Sequence, residues 1–323
     1  MSGQEREQVP RDDFGFEPSL LQLGFWLQNS RYTFITPTPI THQRVNDRAG
    51  DEPGTTLRDA FGWNRPFAPG LLPLTQEKQL LAHRLLEHQQ GRLKSTVRWS
   101  TLNNLLLAHS AFPTVQEDSV FFGPDTYRFA QSIERHLRSN HSVIKRAVDI
   151  GCGTGAGAML IAQAHPQAKV IAVDINLKAL MFTRINAELA GLNNLICRTS
   201  NVLNELEGRF DLIVANPPYM KDSKQRAYRH GGDALGADLS VRIVHESVER
   251  LSVGGSLVLY TGVAIVDGQD PFLAAVAQKL QDPSLVWRYR ELDPDVFGEE
   301  LLEAGYEHVE RIAAVELIVT RRV

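Results

Sequence analysis

The stretch Ala147-Val148-Asp149-Ile150-Gly151-Cys152-Gly153-Thr154-Gly155 runs from four residues of strand character into three glycines spaced two apart. Glycine reaches positive φ without steric cost and lets the backbone approach a ligand closely, so the segment predicts a strand turning tightly into a helix. That helix is expected over about 157–164, followed by a strand over 169–173 and a helix near 177–190. Strand, helix and strand in alternation make a parallel sheet. Further strands are expected over 195–198, 211–215, 255–260, 286–292 and 313–320, seven in all, the last two as an antiparallel pair. The fold class is therefore α/β, with a doubly wound sheet.

A helix that begins at a glycine loop offers its free N–H groups to an anion such as a carboxylate. Asp174, with Ile175 beside it, closes the second strand 25 residues after Asp149, where a carboxylate accepts both hydroxyls of a ribose. Asp149, Gly151, Gly153, Gly155, Asp174 and Ile175 are thus candidates to hold a nucleoside-bearing ligand. A dinucleotide site uses the same elements, but these glycines lack the third-glycine spacing of that fingerprint.

After the strand over 211–215 comes Asn216-Pro217-Pro218-Tyr219. Two prolines end strand pairing and stiffen the loop at the sheet edge where open α/β folds bind ligands. The Asn216 amide oxygen and the Pro217 carbonyl offer two acceptors for the two N–H groups of a planar amino group. Its nitrogen lone pair then turns toward an electrophile. Pro218 shares the substrate side, and Tyr219 offers a ring to stack on a planar substrate or to face a cation.

The loop from Asp149 to Gly155 resembles the first motif of class I methyltransferases. Asn216 to Tyr219 resembles the signature of amino-group methyltransferases acting on adenine, guanine or glutamine amide nitrogens. Phe121-Phe122-Gly123-Pro124-Asp125-Thr126-Tyr127 is similar to the Pro-x-x-Glu-Thr segment of the protein-release-factor glutamine methyltransferases. His230-Gly231-Gly232-x-x-Leu235-Gly236 and Val253-Gly254-Gly255 are similar to two further elements of that family, so the likeness covers about residues 121–260. It implies a Rossmann-like fold of the class I methyltransferase type, S-adenosylmethionine as cofactor, and methyl transfer to nitrogen by in-line displacement with no covalent enzyme intermediate. It places Thr126 over the cofactor, Asn201 and Val202 around the adenine, and Tyr127 on the substrate side; His230, beside two glycines after the signature loop, is a candidate to touch substrate but reads first as a solvated loop histidine. The family usually has an acidic residue where Asn201 stands; an amide oxygen can still accept the adenine amino group. Two alternatives remain at this point. Families resembling methyltransferases include enzymes that cyclise S-adenosylmethionine itself, such as azetidine-2-carboxylate synthases, which release methylthioadenosine. A non-catalytic binding module is the other, although such a module needs no amine-orienting tetrapeptide.

Outward from this region the chain divides into a polar, flexible leader over 1–17, an accessory domain over 18–120 and a cofactor-binding domain over 121–323. The accessory part is expected to be mainly helical and winged-helix-like, with a helix beginning near Ser19 and an extended stretch over 33–41 imposed by Pro37 and Pro39. A second helix is expected over 75–90, capped by Thr75 and stopped by Gly91. Val97, Trp99 and Thr101 then alternate toward Asn103-Asn104, which marks a β-hairpin.

The chain carries 34 Lys and Arg against 38 Asp and Glu, and its first 145 residues hold 16 basic and 15 acidic side chains. A nucleic-acid enzyme usually shows a basic footprint, so this balance favours a small-molecule or protein acceptor over nucleic acid. Two cysteines, Cys152 and Cys197, build neither a disulfide framework nor a thiolate metal site. His83 and His88, and likewise His136 and His141, stand five apart and so share no helix face as a metal pair would, and no metal is expected. No run of about 18 apolar residues occurs, which indicates a cytoplasmic protein without a membrane partner. Lys221, Lys224 and Arg226 read as a solvated face, and the acidic segment over 291–303 has no assigned role.

Overall fold

The computed structural model describes residues 15–140, 142–220, 231–232 and 235–322. Its first third contains α1 (Phe16–Asn29), α2 (Pro39–Ala49), α3 (Leu57–Phe61) and α4 (Leu74–Ala82), then two hairpins, β1 (Leu86–Gln89) with β2 (Arg92–Ser95) and β3 (Val97–Leu102) with β4 (Leu105–Ser110). The α1 helix takes in Phe16 and Glu17, which the sequence reading gave to the leader. Only 32–38 stays extended: Pro39 sits in the first helical turn, where its missing N–H is no loss, and Thr38 Oγ1 accepts from the Thr41 N–H at 3.3 Å.

The helix expected over 75–90 is a helix followed by a strand. His83 caps α4, Arg84 takes φ +58°, and strand pairing with β2 begins at Leu86. Gln90 (φ +51°) and Gly91 (φ +77°) form the two-residue turn joining β1 to β2, so Gly91 ends a strand rather than a helix. Pro73, not Thr75, is the N-cap of α4. The hairpin of β3 and β4 is where alternation placed it, with Asn103 at φ +53°.

The remainder is α5 (Pro124–Ser139), β5 (Arg146–Ile150), α6 (Ala156–Ala164), β6 (Lys169–Asp174), α7 (Leu177–Leu189), β7 (Leu195–Thr199), β8 (Phe210–Ala215), α8 (Asp238–Arg250), β9 (Leu251–Ile265), α9 (Pro271–Leu280), β10 (Leu285–Asp293), a short 3-10 turn (Gly298–Leu302) and β11 (Arg311–Arg321). One seven-stranded sheet runs in the order β10-β11-β9-β8-β5-β6-β7. β5 pairs in parallel with β6 and β8, β6 with β7 and β8 with β9, while β11 lies antiparallel to both β9 and β10. This is the doubly wound, seven-stranded sheet expected from the sequence, with the antiparallel pair at one edge.

β9 starts earlier than expected because it carries a bulge. Phe210 pairs with Leu251 but Leu212 with Ser256, so three extra residues of β9 are looped out around Gly254, whose φ is +80°. Alternation along the strands sorts the core. Ala147, Val170 and Ala172 face α5 and α6, whereas Val148, Ile150, Ile171 and Val173 face α8 and α9. The N-terminal third packs on α7: Ala179, Phe182, Ile185 and Leu189 join one apolar cluster with Leu20, Leu23 and Leu27 of α1 and Trp99 of β3. Asn186 seals that contact. Its amide oxygen accepts from the Ala108 N–H (2.8 Å), and its amide nitrogen donates to the carbonyls of Ala108 (3.2 Å) and Thr154 (3.0 Å). No helix among the described residues is long and apolar enough to cross a membrane.

Candidate functional site

β5 delivers Gly151 (φ +67°) and Gly153 (φ +54°) to the C-terminal edge of the sheet, and a Cβ added at either would meet no atom within 4 Å. The glycines are therefore needed for the turn, and the space in front of them is open for a ligand. Gly155 (φ +82°) caps α6 and lies deeper, where an added Cβ would strike Thr183. Asp174, at the end of β6, is half-buried: Oδ2 accepts from the Gly153 N–H (3.0 Å) and Oδ1 from the Asn176 N–H (2.9 Å). Burial raises its pKa, against the backbone donors that favour the anion. Asp149 is fully buried beneath the loop and does not line the cleft. Its Oδ2 accepts from the Ala158 N–H (2.8 Å), Oδ1 has no partner among the described residues, and burial with the nearby Asp174 carboxylate pushes its pKa up to about 7.

β8 delivers Asn216 to the same edge, half-buried, with its side chain making no hydrogen bond to a described residue. Pro217 is buried and Pro218 partly so. Tyr219 does not stand free to stack. It is buried, its hydroxyl donates to Asp125 Oδ2 at 2.6 Å, and its ring meets Phe297 edge-on at 6.1 Å between centroids. Desolvation and then the Asp125 charge raise the Tyr219 pKa well above its ordinary value, so the hydroxyl stays a donor. The loop is held from below by a glycine that permits close approach. Gly231 N–H donates to the Met220 carbonyl (2.9 Å), and a Cβ on Gly231 would come within 2.5 Å of the Pro218 carbonyl oxygen. His230, Lys221, Lys224 and Arg226 lie outside the described residues.

The glycine loop and the Asn216 loop open onto one cleft of about 550 Å³. Of the residues singled out from sequence, Gly151, Gly153, Asp174, Ile175, Asn201, Val202, Thr126, Asn216, Pro217, Pro218 and Tyr219 line it. Val202 holds φ +58°, an outlier for a β-branched residue. Asn201 is already engaged, its amide oxygen accepting from Arg242 Nη1 at 2.9 Å. Asp149, Gly155 and Tyr127 do not line the cleft. Tyr127 is a tie within the fold: its hydroxyl donates to the Thr101 carbonyl (3.1 Å) and accepts from the Thr36 N–H (3.1 Å).

Sequence reasoning missed three segments of the lining: Pro39, Ile40 and Gln43 of α2, the Phe112–Thr114 stretch after β4, and Phe297, Glu299 and Glu300. The last of these gives the unassigned acidic segment a place. Asp125 also lines the cleft and was passed over, although it stands between Pro124 and Thr126 in a segment already marked. The described lining holds four carboxylates, on Asp125, Asp174, Glu299 and Glu300, and no lysine or arginine. Among the described residues no group of three or more His, Cys, Asp or Glu is arranged to hold a metal ion.

Residues 130–265 match the family described as the methyltransferase small domain. The chain is similar to the release factor glutamine methyltransferase of Xylella fastidiosa, 38% identical over 139 residues that cover 39% of this chain and 50% of the relative. It is similar to that of Deinococcus radiodurans, 38% identical over 165 residues covering 48% and 55%. It also resembles the ribosomal RNA small subunit methyltransferase C of Serratia proteamaculans, 26% identical over 126 residues covering 39% and 31%. The chain thus spans about half the length of the release-factor relatives it matches.

Proposed function

Because the chain carries a class I S-adenosylmethionine-dependent methyltransferase domain similar to the release factor glutamine methyltransferases, we propose that it methylates an amide or amino nitrogen of a polypeptide. The observation that carries this reading is the sharing of one cleft by Gly151, Gly153 and Asp174 with Asn216, Pro217 and Tyr219. The residues fit the cofactor: the open space before Gly151 and Gly153 leaves room for its backbone-contacting end, and Asp174 presents a carboxylate at the strand edge. When bound, S-adenosylmethionine supplies the electrophilic methyl group. Gly151, Gly153, Asp174, Ile175 and Val202 hold it, with Thr126 on the facing side. The carboxylates of the cleft suit its cationic sulfonium and ammonium groups.

The Asn216 amide oxygen and the Pro217 carbonyl take the two N–H groups of the acceptor and direct its lone pair. Positioning supplies the rate. The likeness to the release factor glutamine methyltransferases supports a polypeptide acceptor over a nucleic acid. The intramolecular cyclisation entertained above finds no support among the relatives, and an intact acceptor loop argues against a binding module.

The test is to incubate the full chain with methyl-labelled S-adenosylmethionine, alone and with cell extract, and to identify the adenosine product by mass spectrometry. S-adenosylhomocysteine formed only with extract, and label removed by protease, is the expected result. Label removed by ribonuclease would move the acceptor to RNA, and methylthioadenosine without extract would overturn methyl transfer. Asn216→Ala is expected to abolish turnover and to leave S-adenosylhomocysteine binding in place.

A further inference from the structure

We propose that Asp125 is a positioning residue for this reaction, fixing the acceptor loop through the hydroxyl of Tyr219; the inference rests on reading Asn216–Tyr219 as the loop that holds the acceptor. Asp125 stands in the first turn of α5 and is only 5% exposed. Two phenolic hydroxyls converge on it. Tyr219 donates to Oδ2 at 2.6 Å and Tyr260, in the middle of β9, to Oδ1 at 2.7 Å. Arg128, one turn along α5, reaches Oδ1 at 3.3 Å and continues to Asp293 Oδ2, at the end of β10, at 2.7 Å.

A buried carboxylate is unfavourable unless its oxygens are hydrogen-bonded, and here both are. The N-terminus of α5 and the Arg128 guanidinium add favourable charge. Packing alone does not call for this arrangement, since an apolar side chain between the two rings would fill the space without desolvating a charge. What the carboxylate adds is a fixed point. The Tyr219 ring is confined by Gly262, where an added Cβ would lie 2.2 Å from the ring carbons, and by the edge contact to Phe297. Ring walls restrain tilt but permit sliding; the bond from its hydroxyl to Asp125 stops sliding. Asn216 and Pro217 precede Tyr219 on a stiff Pro-Pro segment, so the anchored ring sets where their two acceptor oxygens stand. The same helix turn carries Thr126 into the cleft, so one side chain joins the cofactor wall to the acceptor loop.

An asparagine has one acceptor oxygen where two donors arrive, and a phenylalanine at 219 keeps the ring but removes the anchor. The experiment compares full-length wild type, Asp125→Asn, Asp125→Glu, Tyr219→Phe and the Asp125→Asn/Tyr219→Phe double variant. It measures kcat and KM for S-adenosylmethionine with extract as acceptor source, and S-adenosylhomocysteine affinity by calorimetry. Asp125→Asn and Tyr219→Phe are each expected to lower kcat up to about a hundredfold, the cost of misplacing a reacting group by about an ångström. In Tyr219→Phe, which leaves every cleft charge in place, KM for the cofactor and S-adenosylhomocysteine affinity should not move. The double variant should be no slower than the worse single variant, because both changes cut one tether. Asp125→Glu should recover part of the rate. Wild-type kcat in Tyr219→Phe, or multiplied losses in the double variant, would overturn the proposal. If Asp125→Asn does not fold, Tyr219→Phe and Asp125→Glu decide it alone. A wild type that turns over nothing refutes the proposed function instead, so the two failures are told apart.

Discussion

At the scale of single residues, burial decides more of the site's behaviour than identity does. Asp149 and Asp174 both lie near the ends of strands that lead to the cleft edge, yet Asp174 faces the cleft and Asp149 lies sealed under α6 with one oxygen unpartnered among the described residues. Burial, with the Asp174 charge adding to it, raises the Asp149 pKa from 3.8 to about 7. A carboxyl whose folded pKa is raised binds its proton more tightly in the native state. Its contribution to stability is complete below about pH 4 and is lost as pH climbs to about 7. Asp149→Asn keeps an acceptor for the Ala158 N–H and removes the titration. Urea unfolding from pH 4 to pH 8 should show a flatter profile in the variant, and greater stability than wild type at pH 8 by something on the order of a few kcal/mol. A variant with the wild-type slope would show that Asp149 stays charged in the folded protein. Sequence spacing located both aspartates but could not tell them apart, because position along a strand gives its end and not the depth of the side chain. The same limit applies to Tyr127 and Asn201. Each was placed at the site by its neighbourhood in sequence, but hydrogen bonds to Thr36, Thr101 and Arg242, all distant in sequence, set what each side chain does.

At the scale of elements, the period of apolar residues was legible wherever an element buries a full face. The seven sheet strands were legible as short apolar runs between turns and helices, and the hairpin of β3 and β4 from alternation. The failure over 75–90 has a physical cause: Leu81 and Leu85 stand four apart as on one helix face, but Leu85 lies past the end of α4, on the approach to β1. The bulge in β9 hid that strand's first residues because three of them leave the ladder. What no periodicity announces is Asn186. A helix residue with both amide groups bonded to backbone acts as a substitute strand partner for β4 and also holds the Thr154 carbonyl. Asn186→Ala strands the buried Ala108 N–H and two carbonyls. The expected loss is roughly 1–3 kcal/mol for each donor or acceptor left without water, so a fall in Tm is the first sign. Because Thr154 belongs to the glycine loop, S-adenosylhomocysteine affinity should fall too. Calorimetry showing a lower Tm with unchanged affinity would confine Asn186 to the hairpin contact.

At the scale of the whole molecule, the N-terminal third and the sheet share a core. Phe182, Ile185 and Leu189 of α7 are almost wholly buried in the cluster built by α1 and β3, and α1 approaches so closely that a Cβ on Gly24 would lie 2.8 Å from both Leu189 and Trp99. The same third supplies Pro39, Ile40 and Gln43 to the cleft. Exposing the apolar face of α7 would forfeit about 1.5–3 kcal/mol for each of its three large side chains, which is comparable to the whole net stability of a typical domain, about 5–15 kcal/mol. Residues 121–323 alone are therefore expected to aggregate or to bind S-adenosylhomocysteine far more weakly than the full chain, and the full chain to melt in a single transition in calorimetry. Phe182→Ala in the full chain should lower stability by about 3–5 kcal/mol, a truncation of buried packing large enough to be read in a single denaturant curve. A stable 121–323 fragment that binds S-adenosylhomocysteine as tightly as the full chain would show that α7 tolerates exposure, and that the first 120 residues serve only the acceptor side of the cleft.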